Sequence, residues 1–184
     1  MSPEWLGALA SIATLFLVAA SAIAALLQMR HMRNANQIVA LTEIRETIES
    51  PVFHAALIYV LRELPKLCED PEMRRKMLGV PLPQEFEQAR TVATFFESLG
   101  VFVKNGAIGR AITFDMWGEA IRNSWDRLAP WIVNRRHISH NIALFENFEY
   151  LAVLCHEFKK SHPGGTYPSR VPRMPAAALW PEAE

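Results

Sequence analysis

Charge is missing from the start of this chain. Before Arg30 the only ionisable side chain is Glu4. A secretory leader opens on a basic region followed by an apolar core of about 7–15 residues. Here the opening is acidic and the apolar run is longer, so the segment is expected to stay on the mature protein. A cleaved leader is a rival reading, since Ala20-Ser21-Ala22 mimics a cleavage site, a pattern Ala-rich helices also produce by chance. Cysteine is scarce as well. Cys68 and Cys155 are the only two, too few for a disulfide framework. Net charge is absent too: Lys plus Arg and Asp plus Glu both number 19. That excludes the basic footprint of a nucleic-acid binder and any acidic tail.

The usual signatures of chemistry are also missing. Gly100 and Gly106 lack the Lys-Ser/Thr that completes a phosphate loop. Gly106 to Gly109 is too short for a dinucleotide fingerprint, and no strand precedes it. Neither a G-x-S-x-G elbow nor an H-E-x-x-H pair occurs. No internal repeat or strand alternation is visible.

What is present is a charge-free apolar stretch over residues 5–29, closed by Arg30-His31-Met32-Arg33. As a helix, those roughly 25 residues span about 37 Å, and a hydrocarbon core is about 30 Å thick. Ser2 suits a helix cap, Pro3 the first helical position and Glu4 the positive end of the dipole. Trp5 suits a membrane interface. A buried helix of a soluble protein is the rival reading, yet few such helices are apolar all round. Arg30 and Arg33 flank only the C-terminal end. The positive-inside tendency then places the N-terminus outside, the bulk of the chain in the cytoplasm and the span in the inner membrane. Cys68 and Cys155 are expected as free thiols there.

Gly7, Ser11, Thr14, Ser21 and Ala25 share one face of that helix. Small residues let helices approach closely in lipid, so this face suits a second copy or another membrane subunit. An Ala-rich span carries small residues on every face, which gives the pattern a purely compositional alternative.

The remainder reads as all-α. Residues 1–29 form the transmembrane helix, 30–50 a juxtamembrane helical stalk, 51–162 a bundle of about five or six helices, and 163–184 a Pro-rich extended tail. The stalk carries the stripe Ile38, Leu41, Ile44 and Ile48. Ser50-Pro51 and Asp70-Pro71 each read as cap plus first-turn proline. Expected helices run over 51–64, 71–78, 84–104, 114–128 and 138–160. Pro65 and Pro130 are expected to end or kink theirs, Asn105-Gly106 to stop the third, and Thr113 to cap the fourth. Tyr167, Leu179 and Trp180 in the tail are candidate anchors onto a partner.

One series of residues is familiar. Phe95-Phe96-Glu97-Ser98-Leu99-Gly100 is followed by Val103-Lys104-Asn105-Gly106, then Phe114 and Trp117. Trp125, Leu128, Pro130 and Arg135-Arg136 come after these. Together with L-T-E-I-R-E-T-I-E-S-P over 41–51, the series resembles domain of unknown function 4760. The resemblance covers about residues 5–160. It implies a small prokaryotic protein with one N-terminal membrane helix before a helical domain, and it brings no catalytic residue.

Candidate chemistry is thin. His137 and His140 share a helical face, and His156 beside Cys155 lies further along, so these histidines are the weak metal candidates. Glu146 and Glu149 lack the Glu-x-x-His partners of di-iron bundles. Glu97 sits in an apolar helix and calls for a basic partner, with Arg122, Arg127 and Arg135 as candidates. Cys155 has no acid–base partner by sequence. No catalytic residue, cofactor or nucleic-acid partner is expected. The leading reading is a non-catalytic accessory or assembly subunit of a membrane complex, or a homo-oligomer. The alternative is a membrane-tethered sensor or signalling protein, in stress or phage defence, and the third reading is a metal-dependent enzyme.

Overall fold

A single helix, α1 (Pro3–Glu49, 47 residues), carries the apolar run without a break into the folded domain. The computed structural model describes residues 3–175, with side chains at Gly7, over 12–32 and from residue 37 onward. The side chains of Trp5, Ser11 and Arg33, and all of Leu179 and Trp180, lie outside the described residues. Among the described residues there is no strand. The chain is all-α.

Over 12–32 every described side chain of α1 is exposed. The helix has a mean hydropathy of 2.2 in its most apolar window, and none of that window is buried. It is long and apolar enough to cross a membrane. Its last turns are different. Ile44 is buried in the domain core, and Ala40, Leu41 and Ile48 pack against it. Ile38, counted in the same stripe by sequence, is 65% exposed. Burying one Ile of this size contributes about 1.5–3 kcal/mol, which fixes the end of α1 to the domain.

Ser50 then restarts the chain as expected, its Oγ accepting the Phe53 amide at 3.2 Å. Helix α2 (Pro51–Ile58) runs into a π turn (Tyr59–Glu63) and a short α3 (Leu64–Leu67). Pro65 is the cause. It has no N–H and its ring crowds the preceding turn, and the ladder widens so that the Leu64 amide reaches back to the Tyr59 carbonyl. Asp70 caps α4 (Pro71–Met77), accepting the Glu72 amide at 2.8 Å. A 3-10 turn (Gln84–Phe86) leads into α5 (Glu87–Lys104). Gly106, at φ +70, turns the chain out of α5.

Helix α6 (Arg110–Ser139) departs from expectation at both ends. Thr113 is not its cap. Gly109 holds that place, and Thr113 is buried in the first turns with its hydroxyl donating to the Gly109 carbonyl at 2.9 Å. Pro130 does not end the helix, which continues for more than two turns beyond it. Trp131 and Ile132 bury just past the proline, and this packing holds the helix through the lost hydrogen bond. The helix stops at His140, in the left-handed region at φ 51. Helix α7 (Glu146–Ser161) therefore starts eight residues later than the sequence pattern suggests. Ile142, inside the helix expected over 138–160, lies in the intervening loop and is 86% exposed.

Helices α5, α6 and α7 enclose the core, with α2 and the π turn against α5. Phe96 and Phe148 stack at its centre, ring centroids 5.2 Å apart, and Trp125 meets Phe148 edge-on at 5.1 Å.

Candidate functional site

The structure brings some of the residues singled out by sequence together at two places, the α5–α7 junction and a groove. The junction comes first. Phe145 precedes α7 in the left-handed region at φ 56 and offers no side-chain cap. The first amides of a helix need acceptors, and here they come from another helix. Glu97 on α5 accepts the Phe148 amide at 2.8 Å and the Asn147 side-chain amide at 2.7 Å. The expected Arg122, Arg127 or Arg135 partner is thus replaced by a helix start, whose dipole favours the carboxylate in the same way.

One turn further along the same face of α5, a Cβ on Gly100 would lie 2.1 Å from the Asn147 carbonyl oxygen. Only a glycine permits that approach. A further turn on, the Lys104 Nζ donates to the Asn147 Oδ1 at 3.2 Å and lies 3.7 Å from Glu146. The F-F-E-x-L-G and V-K-x-G residues are therefore one seat for α7.

Arg136 fastens the other side of that junction. Its Nε donates to the Leu144 carbonyl at 2.8 Å, and its Nη1 donates to Glu149 at 2.6 Å. Its neighbour Arg135 reaches the opposite way, donating to the carbonyls of Leu78 at 2.9 Å and Gly79 at 3.1 Å. The Trp131 indole donates to the Met77 carbonyl at 3.1 Å. Three consecutive carbonyls at the C-terminal end of α4 are so held by α6.

That attachment closes one end of a groove of about 400 Å³. Leu64, Pro65, Met77, Pro130 and Trp131 supply apolar wall, and Arg74, Asp126, Arg127 and Asn134 supply polar groups. Pro65 of α3 and Pro130 of α6 both line it. Sequence reasoning found the two prolines but not their meeting, because Pro65 and Pro130 are far apart along the chain. Cys68 lies in the same wall, half-buried, and burial pushes its thiol up while nearby Arg74 pulls it down.

The histidines are not brought together. His137 and His140 are exposed at the end of α6, and His156 on α7 has its Nε2 3.4 Å from Asp126. Among the described residues no group of three or more His, Cys, Asp or Glu side chains is placed to hold a metal ion. Cys155 is 2% exposed, and burial pushes its thiol up to about 12. Both cysteines are free. Gly7, Thr14, Ser21 and Ala25 are exposed along α1, and the Ser21 hydroxyl donates to the Leu17 carbonyl at 2.8 Å. Arg30 is exposed as well. In the tail, Tyr167 donates to the Pro172 carbonyl at 3.0 Å and carries the Arg173 guanidinium 4.6 Å from its ring centre. Thr166 donates to Asp115 at the start of α6.

The model of domain of unknown function 4760 matches residues 15–154. The chain belongs to this family. The match takes in α1 from residue 15 onward, the α5 seat, all of α6 and most of α7, and it includes Glu97, Gly100, Lys104, Arg135 and Arg136 of the two attachments. No curated protein and no solved structure matches the chain.

Proposed function

We propose that this chain is a single-pass inner-membrane protein whose helical domain is a non-catalytic accessory or assembly element on the cytoplasmic side. One observation carries the reading: α1 is uncovered over 12–32 and continues unbroken until Ile44 enters the domain core. A helix without apolar neighbours needs either lipid or another helix around it. The flanking Arg30 and Arg33 favour the N-terminus outside and the domain inside.

Purification in mild detergent followed by native mass spectrometry tests this. A defined homo-oligomer or a stoichiometric co-purifying subunit is expected. A monomer without companions would remove the assembly role. Replacing Gly7 and Ser11 with Leu should then shift the oligomer or strip the subunit, and unchanged assembly would reduce the span to an anchor. A second reading, a tethered sensor, is favoured by the groove between α3, α4 and α6, since a sensor requires a place for its ligand.

A further inference from the structure

The groove has a composition that defines what it would complement. Its volume of about 400 Å³ is within the range of small-molecule sites. One hydrogen bond ties α6 to the end of α4 at its edge, and another lies within α6. The Trp131 indole is tied to the Met77 carbonyl, and the Asn134 amide donates to the Pro130 carbonyl at 2.7 Å. Pro65 follows the π turn, and Pro130 lies within the continuous helix α6; both line the groove.

The electrostatics of the rim are lopsided. Arg74 spends one nitrogen on the carbonyls of Cys68 and Glu69. Asp126 faces His156. Arg127 is exposed at the edge, with no hydrogen-bonding or ion-pairing partner among the described residues. The rim thus presents two guanidinium groups against one carboxylate that is already engaged. An apolar trough with one uncompensated cation at its lip complements a molecule with an apolar body and a single negative head. A polyphosphate would need more cations and a row of amides, and a cation would meet two arginines.

We propose that this groove binds a free amphipathic carboxylate with a straight apolar chain, its tail against Pro65, Pro130 and Trp131 and its head on Arg127. The site stands whether or not α1 crosses a membrane. It bears on the sensor reading alone: failure here removes that reading's ligand and leaves the assembly experiment unaffected.

The test uses the full chain in phosphatidylcholine nanodiscs. 8-Bromooctanoate is titrated against tryptophan fluorescence, because bromine quenches an indole it touches, and 8-bromooctanol serves as the uncharged probe. Saturable quenching by the acid is expected, absent in Trp131→Phe. Arg127→Gln should weaken the acid roughly tenfold, the scale of one charge-assisted hydrogen bond, and leave the alcohol unchanged. Arg127 is exposed and unbonded, so that variant folds and carries the test by itself. Absence of saturable quenching, its survival in Trp131→Phe, or equal weakening of acid and alcohol would overturn the proposal.

Discussion

Glu97 caps a helix to which it does not belong: its Oε2 accepts the backbone amide of Phe148, 2.8 Å away at the start of α7. A hydrogen bond to a charged group is worth about 1.5–3 kcal/mol. Glu97→Ala should therefore destabilise the domain by roughly 2 kcal/mol, read from urea unfolding of the purified chain. Glu97→Gln should cost less, because one oxygen still accepts while the new amide faces a donor. Hydrogen exchange at the first turn of α7 should quicken in both. Wild-type stability in Glu97→Ala would show that α7 holds its start without help.

Gly100→Ala tests the same seat by volume. The added methyl would meet the Asn147 backbone, which cannot swing aside as a side chain could. A cost of about 1–3 kcal/mol is expected. Combined with Glu97→Ala, the losses should sum to less than their separate values, since both act on one contact between α5 and α7. Strict additivity in a double-mutant cycle would separate them.

These two residues also mark where sequence reasoning stops. The long apolar helix, the Ser50 and Asp70 caps and the stop at Asn105-Gly106 were legible, because each is written in neighbouring residues. The partner of Glu97 was not. Charge complementarity suggested an arginine, but the carboxylate is met by amides of a helix start 51 residues away. The late start of α7 was hidden too, since His140 and Phe145 take positive φ without being glycine. Pro130 read as a stop or a kink, and the helix continues because Trp131 and Ile132 are buried behind it, which local propensity does not register. The groove depends on Pro65 and Pro130 coming together in one lining, which only tertiary packing decides.

The thiols should differ in reactivity. Cys155 is 2% exposed, whereas Cys68 is half-buried. At pH 8, iodoacetamide should modify Cys68 first and reach Cys155 only with denaturant, as intact mass will show. Burial raises the Cys155 thiol to about 12 from an ordinary 9.0. A folded value above the unfolded one means its contribution is full below pH 9 and lost as pH rises toward 12. The stability of the wild type relative to Cys155→Ala should fall across that window. A constant difference would contradict the assigned burial.

Orientation has its own check. In a Cys68→Ala, Cys155→Ala background, Ser2→Cys and Val52→Cys report on the two sides of α1. Val52 is 77% exposed, so access to it depends on the membrane alone. A membrane-impermeant maleimide added to intact cells should label position 2 and spare position 52 until lysis. The reverse pattern would invert the proposed topology.

Between Arg30 and Glu49 the chain contains neither glycine nor proline, and α1 is helical throughout. The stretch from Met29 to Ala40 covers about 16 Å along the axis. As one continuous helix it fixes the angular position of its apolar part relative to Ile44. Inserting one residue into it would turn the domain by about 100° about that axis and advance it by only 1.5 Å. The angular phase of the domain against any neighbour of the outer helix is thus set by the residue count of this segment.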